Sequence, residues 1–529
     1  MNSQITIKNL DFYYANQHEN IFTDLNLELN SSWKLGITGP NGMGKSTLIS
    51  LITGHLKPCK GSIQCQLNTK IFPPKVLDSN LSTLDVIKDT IAPFSRWESQ
   101  MNMLLNNEDA QSIKRYLQLL ELYEENNPYQ LQSEIEKKWS LSGFDSEILN
   151  QKFSHLSHGQ KTMALLISVF LGKKDLVILD EPSTHLDHYS KSIISSFLKK
   201  QDQFILVSHD RSFLNDCVDH LLYLDGVENK LISSNYQQFL EQKEIKSRFE
   251  ESTLNKLKSQ VKKLKQDAQN KRSWSLQKEK TKHQSADSGH VGAVAAKIMK
   301  RALNSEKRKE DKLIQKQEVL KTYTKKREIK FIESKNSKMK AILTVRNLSF
   351  GYGENPNLIS KLFFTLKSGD RLAITGKNGS GKSSLIRLLT HESHPHLKIR
   401  KGSIQWSNNK DFCYIQQWDP YSNNKLAFSI AELGKDARFI NTLACLGLNI
   451  ARRKLDSHCF SPGELKKIEI AKCLCTDSSL LIWDEALANL DLPTKEALEK
   501  LIVQSHQTMI FVEHDHCLMD KVATKVVKI

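Results

Sequence analysis

Two short glycine-rich stretches, 337 residues apart, decide the fold of this 529-residue chain. They read Gly39-Pro40-Asn41-Gly42-Met43-Gly44-Lys45-Ser46 and Gly376-Lys377-Asn378-Gly379-Ser380-Gly381-Lys382-Ser383. Each fits the pattern G-x-x-x-x-G-K-[ST] in full, follows a short apolar strand and precedes an apolar run that is typical of a helix. The pattern predicts two phosphate-binding loops, because glycines let consecutive N–H groups curl around phosphate oxygens.

The residue types in both loops suit a nucleotide that carries Mg²⁺. Lys45 and Lys382 place a positive charge at the β- and γ-phosphates, and Ser46 and Ser383 offer a hydroxyl to the metal. The helix that follows each loop adds a favourable dipole. We predict that the loops bind nucleotide through Gly39, Asn41, Gly42, Gly44, Lys45, Ser46 and Thr47, and through Gly376, Asn378, Gly379, Gly381, Lys382, Ser383 and Ser384.

The chain is an internal duplication, with a first half (residues 1–240) and a second half (residues 341–529) that repeat the same elements in the same order. Each half opens with an alternating strand and an aromatic turn, which is Phe12–Tyr14 or Phe350–Tyr352. Each also has an apolar strand that ends in two acids, Asp180-Glu181 or Asp484-Glu485. Strands that alternate with helical stretches predict an α/β fold with a mostly parallel sheet covered by helices.

Residues 241–340 carry nearly all of the excess charge. They hold 29 Lys and Arg against 13 Asp and Glu, which is +16 of the net +17. Apolar residues three and four apart predict a helix from Ile245, and the glycines at 289 and 292 predict a bend before a second helix. An antiparallel pair about 30 residues long would project roughly 45 Å. The charge favours a nucleic-acid partner, although a solvated helix or a Trp274 packed back on the helices stays possible.

Cysteine usage and hydropathy limit the classes of protein to which this chain could belong. The nine cysteines include no C-x-x-C pair, so neither a zinc site nor a disulfide framework is predicted. No apolar run approaches the ~20 residues that span a bilayer, and Met1–Leu10 lacks the features of a signal peptide. A reducing, cytoplasmic setting is expected.

The motifs that follow the two loops resemble those of a known family. Leu156–Gln160 and Phe460–Glu464 stand before amphipathic helices that lead to the acidic strands. Together with Asp187 and Ser208-His209-Asp210 in the first half, and Asp491 and Glu513-His514-Asp515 in the second, they resemble the ATP-binding cassette family across about 430 residues. The resemblance implies two tandem P-loop ATPase domains, at 1–240 and 341–529, joined by a helical linker at 241–340.

The resemblance also implies a role for each matching residue, with ATP and Mg²⁺ as the bound species. Glu181 and Glu485 match the general base, and His209 and His514 match the histidine at the γ-phosphate. Each ATP would lie between one half's loop and the other half's Ser-x-Gly. The implied adenine contacts are Tyr14 (or its neighbour Tyr13) and Tyr352, the metal contacts beside Ser46 and Ser383 are Asp180, Asp484 and Gln417, and the residues facing the opposite loop are Ser157, Gly159, Ser461 and Gly463.

Three departures from the family pattern bear on turnover. His158 and Pro462 stand where the family has glycine, and Pro462 lacks one backbone donor at the site of Lys45. We therefore expect slower hydrolysis at that site. Pro74 stands where the first half would carry the counterpart of Gln417, which puts a metal or water contact in doubt. Both glutamates are present, so two sites able to turn over are expected.

The linker indicates which group within the family this chain resembles. A tandem transport ATPase has no physical need of a basic helical pair, and excision-repair members carry zinc-binding cysteine pairs that this chain lacks. Two cassettes joined by a basic linker resemble the F subfamily, whose members bind ribosomes. Ser234–Phe239 is similar to that subfamily's entry to the linker, and the stretches 289–292 and 295–301 are similar to its antibiotic-resistance members.

This second resemblance implies a monomer that pairs its own two cassettes over the exit site of the bacterial 70S ribosome. Its linker tip, about 271–292, would reach toward the peptidyl-tRNA, the 23S rRNA and the peptidyl-transferase centre and displace a drug. Hydrolysis would release the protein. A housekeeping factor that relieves stalled ribosomes is the alternative. Those members tend to have shorter linker tips and an inserted arm in the first cassette, and the helical-looking stretch from Arg96 to Phe144 shows no clear arm in the sequence.

Overall fold

A computed structural model describes the chain at residues 4–14, 20–105, 109–171, 175–184, 186–226, 229–246, 341–354, 356–377, 379–390, 396–407, 411–416, 436–448, 460–476, 478–488, 490–505, 507–513 and 515–529, and at single positions between 248 and 266. The chain divides into two compact units. One comprises Met1–Gln237 together with Lys330–Ile529, so it contains both halves of the duplication, and the other is Gln238–Ile329. The predicted linker tip and second linker helix lie outside the described residues.

The first half is built on two sheets. A six-stranded sheet has the order β5-β6-β7-β3-β8-β9 and is parallel except for β9, and a three-stranded antiparallel sheet has the order β2-β1-β4. The strands are β1 (Gln4–Phe12), β2 (Phe22–Asn30), β3 (Lys34–Thr38), β4 (Lys60–Cys65), β5 (Thr69–Phe72), β6 (Leu176–Asp180), β7 (Phe204–Val207), β8 (His220–Tyr223) and β9 (Lys230–Ile232).

The second half repeats this plan. Its parallel sheet has the order β14-β15-β16-β12-β17, and its antiparallel sheet has the order β11-β10-β13. The strands are β10 (Ala341–Tyr352), β11 (Ile359–Lys367), β12 (Arg371–Thr375), β13 (Leu397–Trp406), β14 (Phe412–Ile415), β15 (Leu480–Asp484), β16 (Met509–Val512) and β17 (Lys525–Lys528). The prediction of two α/β domains with mostly parallel sheets is confirmed.

Helices cover the parallel sheets. The first half has α1 (Lys45–Ile52), α2 (Thr83–Asp89), α3 (Phe94–Leu105), α4 (Ala110–Glu125), α5 (Pro128–Leu141), α6 (His158–Phe170), α7 (His188–Lys199) and α8 (Arg211–Cys217). The second has α9 (Lys382–Thr390), α10 (Ala437–Cys445), α11 (Pro462–Cys475), α12 (Leu492–Ser505) and α13 (His516–Val522). Strands β7, β15 and β16 are buried along their whole length, which is why they read as unbroken apolar runs rather than as alternating ones.

Parallel order places the functional segments at one edge of each sheet. In the first half, β3 leads into a phosphate-binding loop, β6 ends at Asp180, and β7 ends one residue before Ser208. Because these strands are neighbours and point the same way, their carboxyl ends converge, and ligands bind at that edge in open α/β sheets. The second half brings β12, β15 and β16 together in the same way.

One local prediction is wrong. Phe350–Tyr352 is not a turn, because β10 continues through Tyr352, whose Cα pairs with that of Leu397 on β13. In the first half the strand does end at Phe12. Lys398 and Ile399 pair with Gly351 and Phe350, so the long β13 extends the ladder over a stretch where the aromatic residues alone suggested a break.

The stretch from Arg96 to Phe144 is helical, as the sequence indicates, but it also contains a paired element. Helices α3 and α4 contact each other, with the Phe94 and Tyr123 rings 5.5 Å apart and the Tyr123 hydroxyl donating to Glu98 Oε1 at 2.7 Å. Helix α4 has no buried residue. A helical hairpin therefore stands in the part of the first half where the sequence showed no clear arm.

The segment that leads into the linker is helical where it is described. Residues 236–246 form a helix, and every described position from 248 to 266 is also helical. Ile245, where the sequence predicts the helix to begin, and Phe249, four residues further on, are both exposed. The Lys243 ammonium lies 5.7 Å from the centre of the Phe239 ring.

Candidate active site

Each phosphate-binding loop joins a buried strand to the start of a helix. In the first half, the loop ends where α1 begins at Lys45. Gly44 has a φ of 85°, and a Cβ there would lie 2.5 Å from Cγ2 of Ile21. Gly381 has a φ of 101°, and a Cβ there would lie 2.7 Å from a methyl of Leu358. Glycine is required at both positions, because any side chain would meet a strained backbone and a steric clash together.

The two loop lysines adopt the same geometry. Lys45 Nζ donates to the carbonyl oxygens of Gly39 and Pro40, both at 2.9 Å. Lys382 Nζ donates to Gly376 at 3.0 Å and to Lys377 at 2.9 Å. Burial lowers the pKa of Lys45 to about 8 and also lowers the pKa of Lys382. Both ammonium groups are thus held inside their loops, where phosphate oxygens would stabilise the charged form.

A hydroxyl and a carboxylate meet in the second half. Ser383 Oγ donates to Asp484 Oδ1 at 3.3 Å, and burial raises the pKa of Asp484 to about 6. Burial also raises the pKa of Asp180, the corresponding acid in the first half. In the part of the chain that the structure describes, no group of three or more His, Cys, Asp or Glu side chains forms a metal cage. One carboxylate and one hydroxyl nevertheless fit Mg²⁺, which takes its other ligands from water and phosphate.

The glutamate after each acidic strand is held in an unusual backbone conformation. Glu181 has a φ of 48° and Glu485 a φ of 51°, and their N–H groups donate to Val207 and Val512, each at 2.9 Å. A left-handed conformation at a non-glycine residue costs of order 1–3 kcal/mol and occurs often at functional sites. The bond to the neighbouring strand fixes this turn.

The environment of Glu181 suits a proton acceptor near neutral pH. Burial raises the pKa of Glu181 to about 7, opposed by the N–H of His209 and the charges of Lys495 and Lys45, while the charge of Asp180 adds to the rise. Its Oε1 is buried and has no hydrogen-bond partner among the described residues. A carboxylate with a pKa near the working pH meets the requirement for a general base.

His209 lies beside that carboxylate in its neutral form. Its Nε2 is 3.7 Å from Glu181 Oε1, and burial, followed by the charges of Lys45 and Lys495, lowers the pKa of His209 to about 3. A neutral imidazole is able to donate from one ring nitrogen and accept at the other. The structure therefore brings Lys45, Asp180, Glu181 and His209 together around one loop.

The two predicted adenine contacts occupy matching places. The Tyr14 hydroxyl lies 3.2 Å from Thr47 Oγ1, and the Tyr352 hydroxyl lies 2.8 Å from Ser384 Oγ. Each tyrosine is thereby attached to the helix that follows its own loop. Tyr14 is 39% exposed and Tyr13 is 49% exposed, and the hydroxyl contact with α1 favours Tyr14 over its neighbour.

Ser157 and Ser461 are the N-caps of α6 and α11, and both form capping boxes. Ser157 Oγ accepts from Gln160, and Ser461 Oγ accepts from Glu464, while each N3 side chain accepts from the cap's own N–H. Pro462 is the first residue of α11 and does not disturb the helix, because the first helical N–H makes no bond within the helix. The backbone N–H that Pro462 lacks is therefore one that, in any other residue, would point out of the helix end.

The two halves contact each other through the first loop. The Asn41 N–H donates to Asp491 Oδ2 at 2.8 Å, and the same oxygen accepts from Lys467 Nζ at 3.0 Å. Lys467 belongs to α11, the helix that begins after Ser461. The first loop is thus connected to the second half's Ser-x-Gly helix through one buried carboxylate.

The opposite pair of elements also meets. Lys377 of the second loop lies 6.0 Å from the centre of the Tyr189 ring on α7, and the charge of Asp187 acts on Lys382. Within the first half, Gly159 packs so closely on Ser190 of α7 that a Cβ on Gly159 would clash with the serine. Each loop therefore faces elements of the other half.

Three predicted site residues, Asn378, Gln417 and His514, lie outside the described residues. After β5, Pro74 offers no side-chain oxygen to a metal. The structure also places four residues at or near the site that the sequence motifs did not indicate: Lys467, Lys495, Arg211 and Glu499. A comparison of the halves could have found some of them, because Lys467 stands where the first half has Met163, and Glu499 where it has Ser195.

No helix in the described part of the chain is both long enough and apolar enough to cross a membrane. The sequence model of the ABC transporter family matches residues 22–184 and 359–488, which is more than half of the chain. Both matches include a phosphate-binding loop and the acidic strand that follows it.

Relatives align along nearly the whole chain. The ribosome protection protein VmlR of Bacillus subtilis is 26% identical over 98% of this chain and 86% of its own length. The ABC transporter F family member 2 of Arabidopsis thaliana is 26% identical over 96% of this chain and 74% of its own. Among solved structures, an archaeal ribosome recycling factor in complex with an archaeal ribosomal stalk protein covers 98% of this chain and 87% of its own, with a TM-score of 0.56 and 17% identity, and shows the same fold.

Proposed function

This chain belongs to the ABC transporter family, as an ATPase of its F group, and on that premise we propose that it binds the bacterial 70S ribosome in the ATP-bound state and protects it from antibiotics. In this proposal ATP closes the two halves over the exit site. The linker, residues 241–340, then reaches toward the peptidyl-tRNA and the 23S rRNA at the peptidyl-transferase centre. Hydrolysis releases the protein.

The geometry supports a role for each residue at the first site. Lys45 binds the β- and γ-phosphates, Ser46 and Asp180 hold Mg²⁺, and Glu181 accepts the proton of the attacking water. His209 contacts the γ-phosphate, and Ser461 with Gly463 face it from the other half. Bound Mg²⁺ would supply charge neutralisation at the phosphate oxygens. At the second site, Lys382, Ser383, Asp484 and Glu485 take the corresponding roles.

The single observation that carries the proposal is the placement of charge. A net +16 lies in the segment between two halves that contact each other through their loops, while the rest of the chain is nearly neutral. A clamp that closes on ATP would move such a segment as a unit, and its lysines and arginines would contact RNA phosphates. One relative is named as a ribosome protection protein and one structure with the same fold as a ribosome recycling factor, and both agree with a ribosomal partner.

A housekeeping role in translation is the second candidate. The observation that favours it is the α3–α4 hairpin, since the sequence argument against this role rested on the lack of an arm in that stretch. Exposed apolar side chains on α4, among them Ile113 and Leu117, leave a face of this hairpin uncovered. The choice between the two roles therefore depends on the linker tip rather than on the first half.

Drug protection in a reconstituted bacterial translation reaction tests the proposal. The full chain is compared with a variant in which residues 274–289 are replaced by a Gly/Ser segment of equal length. We expect the full chain to restore synthesis under at least one of the lincosamides, pleuromutilins, streptogramins, macrolides and phenicols, and the variant to lose protection while its ATPase rate is kept. Relief of stalling without any drug protection would select the housekeeping role, and no effect on translation would overturn both.

A further inference from the structure

The helices α7 and α12 occupy the same place in the two halves. Each begins directly after an aspartate, Asp187 or Asp491, whose side chain caps the helix by accepting the N–H three residues on. The fourth residue after each aspartate is a lysine, Lys191 or Lys495. Since the halves are duplicates, these two lysines would be expected to make equivalent bonds.

They do not make equivalent bonds. Lys191 Nζ donates to Asp210 Oδ2 at 2.6 Å, within the first half. Lys495 Nζ instead donates to the main-chain oxygen of His209, in the other half, at 3.0 Å. Asp515 is the counterpart of Asp210, and its Oδ2 is buried without a hydrogen-bond partner among the described residues. Lys495 therefore contacts the opposite half and makes no bond to Asp515 that matches the Lys191–Asp210 bond of the first half.

The next turn of α12 extends this contact. Glu496 Oε1 accepts from the Tyr236 hydroxyl at 2.9 Å, and Glu499 Oε1 accepts from Arg211 at 2.6 Å. Both partners belong to the first half, and the Arg211–Glu499 pair is almost completely buried. On α7 the corresponding positions are serines 192 and 195, which carry no charge that could reciprocate. The second half thus contacts the segment around His209 through charged side chains of α12, and two of these, Glu496 and Glu499, have no charged counterpart on α7.

The position of Lys495 also gives it an electrostatic effect on the first site. Besides burial, the groups with the largest effect on Glu181 are the N–H of His209, Lys495, Asp180 and Lys45, and among these four Lys495 belongs to the other half. Its positive charge favours the ionised form of Glu181 and the neutral form of His209. Both are the forms that a general base and its neutral partner need.

We propose that Lys495 is a positioning residue for the first ATP site, which acts from the second half by fixing the main chain at His209, whose Nε2 lies 3.7 Å from Glu181 Oε1. This inference rests on the proposed roles of Glu181 and His209. It makes the two sites unequal, because turnover at the first site depends on a side chain of the second half, whereas Lys191, the counterpart of Lys495 on α7, bonds within its own half among the described residues.

Variants with one active site each separate the inference from the proposed function. In a Glu485→Gln parent only the first site turns over, and in a Glu181→Gln parent only the second does. Lys495→Met in the first parent should lower kcat about tenfold with KM changed less than about twofold, because the lost interaction orients the reacting groups rather than binding ATP. The same change in the second parent should cost less than about threefold. Lys500→Met, an exposed lysine on the same helix, is the matched control and should leave both rates unchanged.

Rescue by a conservative variant distinguishes positioning from a general structural defect. In the Glu485→Gln parent, Lys495→Arg should recover most of the lost kcat, because arginine can still donate a hydrogen bond to the main-chain oxygen of His209, whereas methionine cannot. Failure of Lys495→Arg to recover kcat, or equal losses of kcat in the two parents, would overturn the inference while leaving Glu181 as the base. A Glu485→Gln parent whose turnover does not require Glu181 would overturn the proposed catalytic roles and the inference together.

Discussion

The two halves of this chain match at their phosphate-binding loops and differ along the helix that follows Asp187 or Asp491. Lys45 and Lys382 bind the same pair of loop carbonyls, and Tyr14 and Tyr352 make matching contacts. Helix α12, in contrast, contacts the first half through three charged side chains, whereas α7 has serines at two of the three positions. Phosphate chemistry therefore constrains both copies of the site, whereas two of the charged contacts of α12 have no counterpart on α7.

The largest effect is expected from the base of the first site. In a Glu485→Gln parent, adding Glu181→Gln should lower single-turnover hydrolysis by about 10²–10⁴-fold, the usual contribution of a general base. Because burial places the pKa of Glu181 at about 7, the parent should lose activity as the pH falls below 7 and keep it above. Phosphate release measured from pH 5.5 to 9 checks both points. Glu125→Gln, at an exposed position, is the control, and a flat profile would contradict the assignment.

A smaller effect is expected from the buried contact between the halves. Arg211→Leu leaves Glu499 buried with Lys521 alone, 3.3 Å away, and should lower the free energy of unfolding by about 3 kcal/mol. The exposed pair formed by Lys199 and Asp216 is the control, and Lys199→Leu should cost below about 1 kcal/mol.

Urea denaturation measures this difference between a buried and an exposed pair. Replacing both members, as Arg211→Leu with Glu499→Leu, should recover most of the loss, since no isolated charge then stays buried. If Arg211→Leu cost no more than Lys199→Leu, the contact through α12 would not contribute to the stability of the paired halves.

The smallest effect is expected at the start of α11. Pro462→Gly restores an N–H at the first helical position and should raise kcat of the first site by about fivefold, the worth of one hydrogen bond near 1 kcal/mol. The matched change in the other half is His158→Gly, which adds no donor and should leave the second site within about twofold. A rate that is unchanged by Pro462→Gly would show that the missing donor does not slow the first site.

Most of the fold and the centre of each site could be predicted from the sequence, because both depend on local patterns. Unbroken apolar runs, full phosphate-loop motifs and the acids at strand ends identify the parallel sheets and what lies at their edge. The turn predicted at Phe350–Tyr352 failed because pairing with β13 extends a strand that its own residues do not require. Aromatic residues before a glycine fit a turn and a strand equally well.

The contacts between the halves could not be predicted from local patterns. Lys191 and Lys495 occupy the same position of the motif, yet one bonds within its half and the other across, and only the packed arrangement distinguishes them. The serines that replace Glu496 and Glu499 on α7 are visible in the sequence, but their meaning depends on Tyr236 and Arg211, which lie 260 and 288 residues away along the chain. The α3–α4 hairpin was missed for the same reason, since pairing of two helices is a tertiary property.

Cosedimentation of the Glu181→Gln, Glu485→Gln double variant with 70S ribosomes is the most direct test of the central claim, which is that the protein binds the ribosome when ATP has closed its two halves. With both bases removed, ATP should stay bound, and the variant should pellet with ribosomes in ATP but not in ADP, with affinity falling steeply as salt rises from 50 to about 200 mM. Equal pelleting in ATP and ADP, or none in either, would contradict the account.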